Sequence, residues 1–153
     1  MKFEEYPISD GIKKSISKQG FKKPTDIQYK AIKAITKGED VLAIAQTGTG
    51  KTAAFGLPLI QMSDMHSNDI QSLILCPTRE LCIQISSDLS NYAKHSMGFK
   101  VISVYGGAPI DAQIRSVKKG GQIIVGTPGR MLDLIKRKVV KVGNIRWLVL
   151  DEA

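Results

Sequence analysis

Apolar residues follow two kinds of pattern along the chain. Five short runs are apolar at consecutive or nearly consecutive positions: Val41–Ala45, Leu73–Cys76, Val101–Tyr105, Ile123–Val125 and Trp147–Leu150. Runs of this kind, rich in β-branched residues, predict strands buried on both faces, as in a parallel sheet. Between them lie stretches of helical spacing, such as Leu81, Ile85, Leu89 and Tyr92. The alternation of strand and helix predicts an α/β fold, with right-handed crossovers and helices on both faces of a parallel sheet.

Several helix starts are written in the residue types. Thr25 with Gln28 three positions on has the capping-box form, and Asp26 falls in the first turn. Thr127-Pro128 offers a capping hydroxyl before a proline at the first helical position. Thr78 stands between a strand-like run and the helix of Leu81. Helix starts at Thr52, Thr78 and Thr127 therefore follow the carboxyl ends of strands, the edge at which open α/β sheets bind ligands.

Composition narrows the class. A chain of 153 residues, 42% hydrophobic and 24% charged, is one domain's worth of ordinary globular sequence. Cys76 and Cys82 lack C-x-x-C spacing and His66 lies far from His95, which argues against zinc and for reduced thiols in the cytoplasm. No apolar run reaches the roughly 18 residues of a membrane span, and the first ten residues carry acids where a signal peptide is apolar. The net charge of +8 is uneven: residues 1–38 carry +5, residues 39–114 carry −3, residues 115–146 carry +8 and the last seven carry −2. The basic block points to a polyanion, nucleic acid before membrane; a solvated helical face is the competing explanation.

Residues 45–52 read AQTGTGKT, after an apolar run and before a helical stretch. This is the phosphate-binding loop pattern with Ala45 in place of the first glycine. Gly48 and Gly50 allow successive N–H groups to point into one concavity, and the helix beginning near Lys51 adds positive charge at its N-terminus. Lys51 can reach the β- and γ-phosphates and the Thr52 hydroxyl can ligate Mg²⁺. At the other end of the chain, the run Trp147–Leu150 delivers Asp151 and Glu152 to a strand end. There Asp151 would hold Mg²⁺ through water, and Glu152 would orient and deprotonate an attacking water.

The ensemble resembles the N-terminal part of a DEAD-box RNA helicase over essentially the whole chain. Gly20–Gln28 is similar to the family's adenine-reading Q motif, with Phe3 at its isolated upstream aromatic. AQTGTGKT is similar to motif I, Pro77–Leu81 to motif Ia, Gly106-Gly107 to the glycine pair, and Thr127–Arg130 to motif Ib. Leu150–Ala153 is similar to motif II without its last aspartate. The resemblance implies a P-loop NTPase of RecA-like fold. Residues 1–38 would be the Q-motif extension and residues 39–153 a partial ATP-binding domain, together one domain.

The resemblance further implies that ATP with Mg²⁺ is the cofactor. Phe21 would stack on adenine and the Gln28 amide would read its edge, while Ala45, Gln46, Thr47, Gly48, Thr49, Gly50, Lys51 and Thr52 hold the phosphates. Core packing for Phe21 and helix capping for Gln28 are the structural alternatives. The partner implied is RNA, gripped by its backbone along Pro77, Thr78, Arg79, Gly106, Gly107, Thr127, Pro128, Gly129 and Arg130, with no sequence preference. The sequence stops inside the Asp-Glu-Ala-Asp signature, before the Ser-Ala-Thr motif and the second RecA-like domain with its arginine fingers. Two expectations follow from the family pattern. The sheet lacks the strand between the Asp151 strand and the phosphate-loop strand, so unpaired backbone and apolar surface are left exposed. Residues 1–153 alone would show little ATP turnover. A non-catalytic nucleotide- or RNA-binding module and a different phosphate-loop ATPase are the other readings; the Q motif and Thr127–Arg130 speak against the latter.

Overall fold

The computed structural model describes residues 2–46 and 50–152, which form two compact units, Met1–Ser63 with Asp88–Met97 and Asp64–Ser87 with Gly98–Ala153. In the first unit a 3-10 turn at Phe3–Glu5 precedes α1 (Asp10–Lys18), α2 (Asp26–Thr36) and α3 (Lys51–Met62). α1 is capped by Ser9, whose hydroxyl accepts from the Ile12 amide at 3.3 Å, and it buries Ile12 and Ile16. The capping box of α2 forms as its sequence predicts: Thr25 Oγ1 accepts from the Gln28 amide, and Gln28 Oε1 accepts from the Thr25 amide at 2.9 Å. α3 is buried from Ala53 through Ile60. Gly56 lets it close on α4 (Arg79–Tyr92), since a Cβ there would lie 2.5 Å from Leu89 Cδ2.

The run Val41–Ala45 is not a strand. It has no regular secondary structure, with Leu42 92% and Ile44 91% exposed. An apolar run becomes a strand only when neighbours take up its N–H and C=O groups, and the sheet does not include it.

The second unit holds that sheet: β1 (Ser72–Leu75), β2 (Val101–Val104), β3 (Ile123–Gly126) and β4 (Trp147–Leu150), all parallel, in the order β2-β3-β1-β4. The two central strands, β1 and β3, arrive buried, as consecutive apolar runs require. The edge strands do not, since β2 alternates part-exposed with buried residues and β4 leaves Leu148 and Leu150 more than half exposed. α5 (Ile110–Lys119) and α6 (Pro128–Lys136) return the chain between strands. They pack on one face of the sheet, where Val117, Met131 and Leu134 meet Leu73, Ile102, Val104 and Ile124. Gly126 admits this packing, because a Cβ would lie 2.5 Å from Met131 Cε and 2.8 Å from Val104 Cγ2.

At the amino-terminal edge of the sheet two buried glutamines stand in for side-chain-free backbone pairing. Gln122 Oε1 accepts from the Lys100 amide at 2.9 Å while its Nε2 donates to Ser67 O at 2.8 Å. Gln71 Oε1 accepts from the Asp64 amide at 2.8 Å. Among the described residues no helix is long and apolar enough to cross a membrane.

Candidate functional site

In the first unit the candidate nucleotide residues divide into an aromatic cluster and a helix start. Phe3 is buried and packs edge-on against Phe21, centroids 6.0 Å apart; Phe21 packs edge-on against Tyr92 at 5.8 Å. Phe21 itself is half-buried, so part of its ring stays accessible while the cluster fixes its orientation. Burial pushes the Tyr92 phenol up to about 12, with the Asp88 carboxylate adding to it. Gln28 is 1% exposed, and its amide Nε2 donates to the carbonyl oxygen of Gly50 at 3.2 Å. One side chain thus closes the capping box of α2 and bonds the residue that opens α3.

Gly50 is the N-cap of α3, in the left-handed region at φ 81°, and among the described residues no side chain caps the helix. α1, α2 and α4 each start behind a capping hydroxyl: Thr78 Oγ1 accepts from the Leu81 amide at 3.1 Å. The uncapped first turn of α3, with Lys51 at its first position and Thr52 next, has the chemistry of an anion site. Ala45 is half-buried and Gln46 exposed. Thr47, Gly48 and Thr49 lie outside the described residues.

In the second unit the carboxyl ends of the strands gather the remaining candidates. Pro77, Thr78 and Arg79 follow β1, Gly106 and Gly107 follow β2, Thr127–Arg130 follow β3, and Asp151 and Glu152 follow β4. The first three groups touch. Arg79 Nη1 donates to Gly107 O at 3.4 Å, and its guanidinium lies 5.1 Å from the centre of the Tyr105 ring. The Gly106 amide donates to Thr127 Oγ1 at 3.4 Å, and Gly107 takes φ 79°. Pro77, Thr78, Arg79, Gly106, Gly107, Pro128 and Gly129 are all exposed.

The Thr127 hydroxyl departs from its predicted role. Thr127 does occupy the N-cap with Pro128 behind it, but its side chain makes no cap bond. Its oxygen is taken by the Gly106 amide, so it ties two loops together and leaves the α6 start without a side-chain acceptor.

Gln113 is the residue the sequence concealed. Buried on α5, it accepts from the Tyr105 amide at 3.2 Å and donates to Tyr105 O at 3.0 Å. The same Oε1 accepts from Arg130 Nη1 at 2.9 Å, and Arg130 also reaches Ala108 O at 3.2 Å. Its one local signal is a polar residue sharing the apolar face of Val117, four positions on.

Asp151 is half-buried, and its amide donates to Leu75 O at 2.9 Å, continuing the ladder past β4. Glu152 follows with φ 58°, a left-handed conformation that sharply redirects the chain. Burial pushes the Cys76 thiol up to about 12, with neighbouring Cys82 and then Asp151 adding to it. Among the described residues no three His, Cys, Asp or Glu side chains cluster as a self-sufficient metal site. A single carboxylate such as Asp151 is a donor of the kind Mg²⁺ accepts, since that ion keeps several waters and takes the rest of its shell from few protein oxygens.

The family model for DEAD/DEAH box helicases matches residues 25–153. The chain is 51% identical to the ATP-dependent RNA helicase CshA of Listeria monocytogenes, over 99% of this chain and 29% of that protein. It is 46% identical to the DEAD-box ATP-dependent RNA helicase CshA of Bacillus cereus, again over 99% of this chain and 29% of the relative. Among solved structures, a DEAD box protein from the hyperthermophile Methanococcus jannaschii superposes with a TM-score of 0.91 at 41% identity, covering 98% of this chain and 41% of that one. A hypothetical ATP-dependent RNA helicase from Sulfolobus tokodaii gives 0.83 at 36%, covering 94% and 41%. The chain thus spans less than a third of the length of these curated relatives, and its parallel α/β sheet is of the RecA-like kind that the two structures share.

Proposed function

Because the chain belongs to the DEAD/DEAH box helicase family, we propose that it is the ATP- and RNA-binding part of an ATP-dependent RNA helicase, a protein that couples RNA-dependent ATP hydrolysis to local duplex opening. Gly20–Gln28 serves as the adenine-reading Q motif: Phe21 stacks on the base and Gln28 reads its edge with the hydrogen-bonding capacity left over from Thr25 and Gly50. Phosphates rest on the phosphate loop from Ala45 to Thr52, and Lys51 neutralises their charge. By the family pattern Thr52 would ligate Mg²⁺ directly and Asp151 would hold it through water; the ion when bound polarises the phosphoryl oxygens. Glu152 orients the attacking water and takes its proton.

RNA lies along Pro77, Thr78, Arg79, Gly106, Gly107 and Thr127–Arg130 and is held by phosphate contacts. Backbone amides and arginines at helix starts suit that task and carry no base information. Residues 1–153 alone bind both ligands with little turnover, because in the family a second RecA-like domain supplies the arginine fingers, worth roughly 10³- to 10⁵-fold in rate. Two buried, unpaired thiols, Cys76 and Cys82, fit a reducing cytoplasm.

The observation that carries this reading is the start of α3: an uncapped helix N-terminus behind left-handed Gly50, tied to the buried Gln28 amide. The test is competition for a fluorescent ATP analogue. ATP should displace it far better than GTP, Lys51→Ala should abolish binding, and Gln28→Ala should erase the preference for ATP. Equal displacement by GTP would overturn the adenine-reading role.

A further inference from the structure

The basic block does not sit where the proposed RNA groove is. Seven of the nine cations in residues 115–146 lie at the amino-terminal edge of the second unit's sheet, opposite the carboxyl-edge loops. In a parallel sheet with helical crossovers each helix ends where the next strand begins. Hence α5 ends there with Lys118 and Lys119, and α6 with Lys136, Arg137 and Lys138. Contacts confirm the gathering. The Gly121 amide donates to Asn68 O at 3.0 Å, and Asn144 Nδ2 donates to Asp69 Oδ2 at 2.8 Å. Lys141 lies in that same loop, and Lys100 and Arg146 stand immediately before β2 and β4.

All eight of these cations are exposed, and among the described residues only Arg137 is in an ion pair, with Asp133 at 2.9 Å. The acids nearby are Asp133, Asp64 and Asp69, the last engaged by Asn144. Helix-end dipoles favour a cation or two at each terminus, but they do not account for Lys100, Lys141 and Arg146, which belong to loops. The Arg146 guanidinium lies 4.7 Å from the centre of the Trp147 ring, a planar cation beside an aromatic.

We propose that this amino-terminal edge is a second RNA-backbone surface, which takes the phosphates of a strand segment flanking the one held at the carboxyl edge. It rests on the reading that RNA is the partner. RNA is favoured over an acidic protein because protein interfaces centre on apolar and aromatic residues and are depleted of lysine. Among the described residues of the loops that carry these cations, Val142 is the one exposed large aliphatic residue. Exposed, flexible ammonium groups bind phosphates as point charges and need no shape complementarity.

The test is fluorescence anisotropy of a uridine oligomer of about 20 nucleotides, titrated from about 50 to about 200 mM salt. Three versions of the 153-residue chain are compared with the parent. The first carries Lys100→Gln, Lys119→Gln, Lys136→Gln and Lys141→Gln; the second carries Arg79→Gln and Arg130→Gln. The third is a charge-matched control in the first unit, Lys14→Gln, Lys30→Gln, Lys33→Gln and Lys37→Gln, all exposed. Each lost single-strand phosphate contact makes the log–log salt slope shallower by about 0.7. The first variant should lose close to 3 from the slope and at least tenfold in affinity at low salt, with its urea midpoint unchanged. The control should lose far less. An unchanged slope in the first variant, or an equal loss in the control, overturns the proposal, and the former would leave the patch to an acidic protein. Failure of the second variant to weaken binding would instead count against the carboxyl-edge groove, so the two readings fail separately.

Discussion

Gln28 Nε2 donates to the carbonyl oxygen of Gly50 at 3.2 Å, so a residue of the first turn of α2 holds the residue that opens α3. The same amide closes the capping box on Thr25. Gln28→Ala removes both bonds and leaves a buried acceptor without its donor, which should cost about 1–3 kcal/mol in urea unfolding along with the preference for ATP. Gln28→Glu keeps the bond from the Thr25 amide but has no proton for Gly50 O, so it should restore part of the stability and none of the nucleotide preference. Gly50→Ala should be worse than either, because φ 81° strains any Cβ and that Cβ would collide with Gln28 Nε2.

Three of the threonines predicted at helix starts should separate on mutation. Thr25→Ala and Thr78→Ala each remove a formed side-chain cap, at about 0.5–2 kcal/mol. Thr127→Ala removes no cap, only a 3.4 Å bond from the exposed Gly106. Its unfolding midpoint should move least, and its effect should show as weaker RNA binding. A Thr127→Ala midpoint shift equal to that of Thr78→Ala would refute this.

Gln113 acts on the RNA groove from behind. Gln113→Leu strips Tyr105 of both backbone partners and Arg130 of its shortest bond. It should lower stability by about 1–3 kcal/mol and reduce RNA affinity, although Gln113 is buried. Arg130→Lys keeps the charge but loses the planar guanidinium whose Nη1 bonds both Ala108 O and Gln113 Oε1, so it should lower affinity while stability changes little.

Alkaline pH should destabilise the fold through Cys76. Its thiol stays protonated in the folded chain up to about 12, whereas in the unfolded chain it ionises near its ordinary 9.0. Below pH 9 both states bind the proton and the contribution is constant. As pH rises from 9 towards 12 the unfolded state alone releases it, so stability falls across that window. Cys76→Ala should flatten the alkaline limb of a stability–pH curve. A curve unchanged by that substitution would place the effect elsewhere.

The legible parts of the fold were those decided locally. Thr25 with Gln28 and Thr78 before Leu81 are short-range hydrogen-bonding units, and both formed. The strand runs from Ser72, Val101, Ile123 and Trp147 were readable because consecutive apolar residues have few other places to go. Val41–Ala45 looked the same and failed, since pairing is a property of the neighbour and not of the run. Gln71, Gln113 and Gln122 were illegible for a related reason. A buried amide is specified by distant backbone groups that it satisfies, and nothing in the adjacent sequence announces them. The charge block was legible as charge, but its position was not, because topology alone moved it to the edge away from the groove.

An extended, solvent-exposed apolar stretch is also what the cleft of an endopeptidase grips. With Leu42 and Ile44 almost wholly exposed and without regular structure, brief digestion with thermolysin, which cuts before large aliphatic residues, should nick the chain there before it touches β1 or α4. The early products would be a fragment of about 41 residues carrying Phe21 and Gln28 and a larger one carrying Lys51 and Asp151. Shielding of that bond when nucleotide is added would report occupancy of the phosphate loop, with no label and no turnover required.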